Sequence, residues 1–255
     1  MKTRLLKVLI LAILLVPGVA SAQILINENF ENFTAGQQPG SPWSVGLITS
    51  PSSILVSTDA QSPFGAGGDT QGLVWYDGDT TSWGPNLSTS FAMPSGTTSL
   101  IWSFDFMAPA DGIASNPIFY LADGSGKIGP RLFLDRTMTT LSANNGSSVV
   151  TVASTSPDTW YHVEVTISVA DNTYVVSVLP YGGSTTTSAT YAFNNASTGM
   201  LQSLVLADND QTAINGTVYL DNITLTAIPE PKSIASIASV GLLAWVFTRS
   251  RKSRI

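Results

Sequence analysis

The chain of 255 residues has no cysteine, a single histidine (His162), and only three cations between residues 23 and 228: Lys127, Arg131 and Arg136. Without cysteine there is no disulfide framework, so the central segment of about 206 residues must be held by its core. At that size a single domain buries roughly 70% of its unfolded surface, which is enough. The three cations stand against 16 acidic residues between Glu28 and Asp221, a formal charge of −13; the whole-chain value of −6 hides this, because eight of the 11 cations lie in the terminal segments. Such a segment lacks the basic footprint that nucleic acid requires. It would also be repelled by anionic polysaccharide unless a divalent cation bridged the two, which makes calcium a reasonable cofactor. Long patterns of helical period are missing, and no repeat of solenoid length is present. The aliphatic and aromatic content, with hydrophobic residues at 44%, excludes a disordered chain.

What is present begins at the two ends. Lys2, Arg4 and Lys7 precede an apolar run over residues 8–16, then Pro17-Gly18, then Ala20-Ser21-Ala22. This order reads as a signal peptide over residues 1–22, with Ala20 and Ala22 in the small-x-small form that signal peptidase cleaves, leaving Gln23 as the first mature residue. At the other end, Pro229-Glu230-Pro231 is followed by residues 233–248 without a charged side chain, then by Arg249, Arg251, Lys252 and Arg254. As a helix, residues 233–248 would measure roughly 24 Å at the standard rise. A bilayer span takes about 20 residues, so this one is slightly short, and the stems of Lys232 and Arg249 can extend it toward the headgroups. The basic cluster holds the extreme C-terminus in the cytoplasm and everything between the two ends outside.

The order Pro-Glu-Pro, apolar span, basic stop resembles the PEP-CTERM sorting signal of bacteria that secrete an extracellular polymeric matrix. The resemblance implies residues 228–255 as the sorting segment and an exosortase, a membrane cysteine protease-transpeptidase, as the partner that acts at or near Pro229, Glu230 and Pro231. It implies transient anchoring in the cytoplasmic membrane, then release to the cell surface or matrix.

The middle, residues 23–227, reads as all-β. From 160 to 170 apolar and polar residues alternate strictly, Tyr161, Val163, Val165, Ile167 and Val169 on one face and His162, Glu164, Thr166 and Ser168 on the other. The turn Asp171-Asn172 should return the chain over 173–179 as an antiparallel hairpin. Further strands are expected at 54–58, 72–76, 87–92, 98–107, 118–122, 131–134, 148–153, 185–193, 200–207 and 216–226, a number that suits two packed antiparallel sheets. The run Asp158-Thr159-Trp160-Tyr161-His162-Val163-Glu164-Val165 and the closing Gly216-Thr217-Val218-Tyr219-Leu220-Asp221-Asn222-Ile223 resemble strands of the concanavalin A-like, laminin-G-like jelly roll. Together they cover about a fifth of the domain.

Four kinds of site follow. In related jelly rolls a carboxylate near the first strand and an aspartate in the last hold calcium; the positions that resemble them are Glu28 or Glu31, and Asp221. Calcium takes six to eight oxygens, which these side chains with neighbouring amides and carbonyls could supply; the same residues equally suit solvated strand charges and a turn cap. Asp77-Gly78-Asp79 and Asp208-Asn209-Asp210 are further oxygen-rich loops without an EF-hand pattern. Trp75, Tyr76 and Trp83 lie in a Gly-, Asp- and Thr-rich stretch where a ring left exposed would stack on a sugar, Trp83 foremost; a strand-end Trp is otherwise core. Trp102, Phe104 and Phe106 share one strand face and are expected in the core. His162 and Glu164 share a face and could act as an acid/base pair, with Asp105 or Arg131 nearby, or simply belong to a polar sheet surface. The Glu-x-Asp-x-x-Glu strand of sandwich glycosidases and the Tyr-x-Lys-x-Tyr strand of sandwich alginate lyases are both absent.

The expectation is an exported, non-enzymatic β-sandwich that binds extracellular polysaccharide or mediates adhesion. The rivals are a secreted polysaccharide lyase or glycoside hydrolase on the same fold, and a purely structural matrix component.

Overall fold

The computed structural model describes residues 21–46, 48–65, 67, 69–78, 84–110, 116–135, 137, 139–195, 200–208 and 216–229. The expected signal residue Ala20, the candidate platform Trp83, Asp79, Asn209, Asp210, and the sorting residues Glu230, Pro231, Arg249, Arg251, Lys252 and Arg254 lie outside them. Among the described residues no helix is long and apolar enough to cross a membrane. Gln23–Ile228 is one compact unit, and every residue of the described core belongs to it.

Among the described residues sixteen strands carry the unit: β1 (Gln23–Glu28), β2 (Ser44–Gly46), β3 (Ser53–Ser57), β4 (Gly72–Asp77), β5 (Asn86–Ser90), β6 (Thr97–Met107), β7 (Pro117–Asp123), β8 (Ile128–Leu134), β9 (Thr140–Asn144), β10 (Val149–Ser154), β11 (Tyr161–Ser168), β12 (Thr173–Pro180), β13 (Thr186–Thr187), β14 (Tyr191–Ala192), β15 (Leu201–Asp208) and β16 (Gly216–Pro229). One sheet runs β13-β12-β11-β6-β16-β4-β3, with β1 also on β16 and β14 on β12; the other runs β10-β9-β8-β7-β15-β5-β2. The all-β, two-sheet antiparallel sandwich expected from the sequence is what the chain forms.

The core lies between the sheets. On β11 the apolar set Tyr161, Val163, Val165 and Ile167 is buried while His162, Glu164 and Thr166 alternate outward, and Trp102, Phe104 and Phe106 of β6 are buried opposite Phe119 of β7, whose ring stacks on Phe104 at 4.8 Å. The β11–β12 hairpin forms in the expected register, Ser168 opposite Thr173.

Three strands fall outside the expected set: β2 and β9 are short or rich in Asn, Ser and Thr, and β1 carries only the brief apolar run Ile24-Leu25-Ile26. The single strand expected over 185–193 is instead β13 and β14, separated at Ser188. There Ser188 N–H still donates to Val176 O (2.9 Å), but the return bond from Val176 N (3.0 Å) goes to the Ser188 hydroxyl, which itself donates to Ala189 O (2.7 Å), so a side chain takes one rung of the ladder.

One irregularity positions the site. The first half of β16 pairs with β4, Leu220 opposite Leu73, and the second half with β1, Ile223 opposite Glu28. Leu220 and Ile223 both face the core, so two residues, Asp221 and Asn222, occupy the interval where strict alternation allows one. Asn222 takes φ +51°, the left-handed region that Asn tolerates best among non-glycine residues, and the strand bulges. The β3–β4 connection then crosses over this bulge. At its end Gly72 is required for close approach, since a Cβ there would lie 2.2 Å from Ala60 O and 2.8 Å from Leu220 O.

Candidate functional site

Alternation along β6 breaks down at its C-terminal half: Ser103 and Asp105 point away from the core, yet both are buried. The cover is the β3–β4 connection, which lays Ser62 and Phe64 over the outer face of β6, β11 and β16. Ser62 bridges two fully buried carboxyl groups, its N–H donating to Asp221 Oδ2 (3.0 Å) and its hydroxyl to Asp105 Oδ2 (2.7 Å). Asn222 bridges the same pair from the bulge, N–H to Asp221 Oδ1 (2.7 Å) and Nδ2 to Asp105 Oδ2 (2.8 Å). The remaining Asp105 oxygen, Oδ1, lies 2.6 Å from His162 Nδ1, directly across the β6–β11 ladder. An ionised Asp105 can only accept, so in a neutral ring opposite it Nδ1 carries the proton and Nε2 is the acceptor.

These contacts set the electrostatics. The hydrogen bond to Asp105 raises the His162 pKa; burial opposes this, and the charges of Asp105 and Glu164 add to it. Burial pushes Asp221 up to about 7 against the backbone donors Ser62 and Asn222, with Asp105 and Asp69 adding repulsion. A carboxyl group and an imidazole whose pKa values are both raised are therefore gathered beneath one loop.

Over this base lies an aromatic row. The Phe64 ring sits 5.7 Å from the His162 ring and meets Tyr181, just beyond β12, edge-on at 5.5 Å. Tyr181 is 61% exposed, although its backbone is fixed by N–H donation to Trp160 O (2.9 Å). Glu164, two residues along β11, is exposed on the same face. The loop that carries Phe64 is tied down further along: Asn29 Nδ2 donates to Asp69 Oδ1 (3.0 Å), Gln61 Nε2 to Asp69 O, and a Cβ on Gly65 would fall 2.0 Å from Asp69 Oδ2.

The residues singled out by sequence are distributed unevenly around this site. His162, Glu164 and Asp105 do share a face. Arg131 does not join them: it sits on β8 of the other sheet with its guanidinium 4.7 Å above the Phe133 ring. Glu28 is a structural hub, its Oε1 accepting from Phe30 N (2.7 Å) and its Oε2 from Trp43 Nε1 (3.0 Å), which holds Phe30 at φ +61° in the core. Glu31 clamps the loop end, accepting from Thr70 N, Thr70 Oγ1 and Gln71 N. Asp221 is elsewhere, beneath Ser62. The three expected calcium ligands thus serve three different sets of donors, and among the described residues no three His, Asp or Glu side chains are gathered as a metal site. The donor set does not fit calcium. Asp77 is buried and accepts from Ser52 Oγ (2.8 Å), and Asp208 ends β15.

Trp75 is 1% exposed and donates Nε1–H to Pro85 O (3.0 Å), so it is a core residue and cannot stack on a ligand. Tyr76 is half-buried on the outer face of β4. Among the described residues the exposed ring is Tyr181, which sequence reasoning passed over. Its only signal was its place after the last residue of a strand, beside Gly182-Gly183. Ser62, Phe64 and Asn222 carried no signal, because their role depends on a loop crossing a sheet.

No family model matches the sequence, and no curated protein matches it. Solved structures do resemble the fold. The CBM2 module of Lactobacillus casei BL23 phage J-1 evolved Dit superposes with TM-score 0.51 at 13% identity, over 82% of this chain and 96% of that one. The catalytic domain of a GH131 β-glucanase from Podospora anserina gives TM-score 0.51 at 15% identity, over 85% and 89%. A sialidase gives TM-score 0.47 at 16% identity, and the 84% of this chain that aligns spans only 19% of its length. At these identities the likeness is one of architecture: a two-sheet, jelly-roll-like β-sandwich.

Proposed function

We propose that the chain is an exported, exosortase-processed protein of the cell surface or extracellular matrix, whose sandwich domain binds glycan without turning it over. The observation that carries the binding reading is Tyr181, an aromatic ring held outside the core by a fixed backbone, edge-on to Phe64 and beside the polar His162 and Glu164. A ring flanked by hydrogen-bonding groups suits a sugar, whose C–H face stacks while its hydroxyls bond. A CBM2 module and a β-glucanase catalytic domain share the architecture, which supports a carbohydrate ligand and leaves open which one.

The test is affinity electrophoresis of Gln23–Ile228 in a panel of soluble polysaccharides. Retardation in at least one, lost in Tyr181→Ala with the melting temperature unchanged, is the expected result. Retardation that Tyr181→Ala leaves intact would remove the aromatic site from the reading.

The sorting half rests on the termini and is supported by where the domain begins: β1 starts at Gln23, the first residue after the expected signal-peptidase site, and pairs with β16, Gln23 opposite Ala227. Mass spectrometry of the secreted product should find Gln23 at its start and a C-terminus at or near Pro229-Glu230-Pro231. An intact tail ending at Ile255 would contradict exosortase processing.

A second reading has one observation in its favour. With Nδ1 held by Asp105, His162 can accept a proton at Nε2, as a polysaccharide-active enzyme would require. Turnover of any polysaccharide, abolished by His162→Ala, would replace the non-catalytic reading.

A further inference from the structure

A second concave feature lies at the opposite end of the sandwich, where three turns meet: the β9–β10 turn with Asn145, the β11–β12 turn with Asn172, and the segment after β14 with Asn194. They line an open groove of about 360 Å³. That volume falls in the range of small-ligand sites, about 300–1,000 Å³.

The turns are fixed independently of any ligand. Asn145 N–H donates to Ser148 O (2.9 Å), Phe193 N–H to Asn172 O (2.9 Å), and Asn194 N–H to Gly129 O (3.1 Å). Asn172 sits at φ +54° and Gly146 at φ +96°. The floor is buried Phe193, packed 6.4 Å from the Tyr174 ring, whose hydroxyl reaches the Asn144 carbonyl.

The polar groups on the walls are under-used. Asn145 Oδ1 accepts from the N–H and hydroxyl of Ser147 and of Ser148, and its Nδ2 has no acceptor among the described residues. The side-chain amides of Asn172 and Asn194 bond to nothing among the described residues, although both are half-buried. Half-buried amides of this kind are within reach of solvent, and three of them lining one groove are available to a ligand that supplies both donors and acceptors. Asp171 also lines the groove and no Lys or Arg does, which disfavours an anion. Ala192 and Phe193 add a small apolar surface.

We infer that this groove is a binding site for a neutral saccharide unit, its hydroxyls paired with Asn145, Asn172 and Asn194 and its C–H face against Ala192 and Phe193. Six residues of β11 separate His162 from Ser168 at the edge of this turn, so the groove lies roughly 20 Å or more from the aromatic row at the usual strand rise. The two sites cannot serve one monosaccharide, and a domain that carries both can hold two glycan chains together. The inference extends the glycan-binding reading but stands on different residues, and it survives if the aromatic site fails.

The experiment is an NMR titration of isotope-labelled Gln23–Ile228, the unit that contains the whole described core, with glucose, galactose, mannose and N-acetylglucosamine, and with glucuronate as the anionic control. Amide shifts at residues 144–148, 171–173 and 192–195 are expected with at least one neutral sugar and not with glucuronate. Asn172→Gly, which keeps the left-handed backbone, and Asn194→Ala should each weaken that binding by about tenfold or more, the loss of one or two good hydrogen bonds. Tyr181→Ala should leave it unchanged. Absence of groove shifts with all four neutral sugars overturns the inference, as does binding indifferent to both Asn variants. Shifts confined to Phe64, His162 and Tyr181 would overturn it while supporting the aromatic site.

Discussion

The two ends of the sandwich show two ways of building a polar site on an apolar scaffold. At one end Asp105, Asp221 and His162 are gathered under a loop, and their hydrogen bonds are nearly all satisfied by Ser62 and Asn222. At the other, Asn145, Asn172 and Asn194 line an open groove, with the Asn145 Nδ2 and the Asn172 and Asn194 side-chain amides unpaired among the described residues. The first arrangement contributes to the fold and must respond to pH, because burial raises Asp221 to about 7 and the hydrogen bond to Asp105 raises His162. The second contributes little to the fold and has one ionisable group, Asp171, at its rim. A satisfied buried network resists substitution, whereas unsatisfied rim amides cost little to remove and matter only when something binds.

The contrast can be broken most severely at Asp105. Asp105→Ala strands the Ser62 hydroxyl, the Asn222 amide and His162 Nδ1 at once, and should destabilise the domain by about 3 kcal/mol in urea unfolding, against less than about 0.5 kcal/mol for Asn194→Ala at the groove. Equal losses at the two positions would erase the distinction. Glu28→Gln tests whether that carboxyl is structural: one of its two donors, Phe30 N–H or Trp43 Nε1–H, would face an NH2 group, for a cost of about 2 kcal/mol. The same experiment with and without a chelator should give identical midpoints, and a chelator-dependent midpoint would restore the calcium reading.

The pH response follows from signs. Asp221 has a folded pKa of about 7, above its ordinary 3.8, so its contribution is fully present below the unfolded value and is lost as pH rises through about 7. His162, also raised, acts in the same direction: its contribution is present below 6.5 and lost as pH rises through its folded value. Glu31 and Asp135 act oppositely. Burial works against them, but hydrogen bonds from Thr70 and Gln71 and from Thr137, Thr139 and Thr140 hold both below their ordinary values, and their contribution is lost as pH falls through those lowered values. Stability should peak near pH 4, where the Glu31 and Asp135 contributions are nearly complete, and decline from there to about pH 7 by up to about 1 kcal/mol per pH unit. Asp221→Asn should flatten that decline. A stability maximum at or above pH 8 would show that the buried carboxyl does not titrate as the geometry requires. Smallest of all should be Tyr181→Ala, within about 0.5 kcal/mol of wild type because the ring is mostly in solvent.

Much of this architecture was legible residue by residue. Alternation over 160–170 fixed β11 and sent His162 and Glu164 to the outer face; the Asp171-Asn172 turn closed the hairpin; and Phe104-Asp105-Phe106 placed Asp105 on the side away from the core. The expected calcium set was not borne out in its geometry, because Glu28, Glu31 and Asp221 resemble ligands in type and strand position, whereas what each touches depends on the loops that reach it. The emphasis on Trp75 failed similarly: whether a strand-end ring is core or platform depends on what lies opposite, and here the other sheet does.

Composition and period, then, determined that this chain forms two antiparallel sheets, carries an acidic middle and has no disulfide to rely on, since apolar alternation and charge counts are properties of short stretches. Only the tertiary structure decided that Ser62 would bond to Asp105 and Asp221 across 43 and 159 residues, that Tyr181 would be the exposed ring, and that three distant asparagines would face one groove. Those contacts are made by loops over sheets, and the partner of a loop residue is set by where the chain returns, which no local pattern encodes.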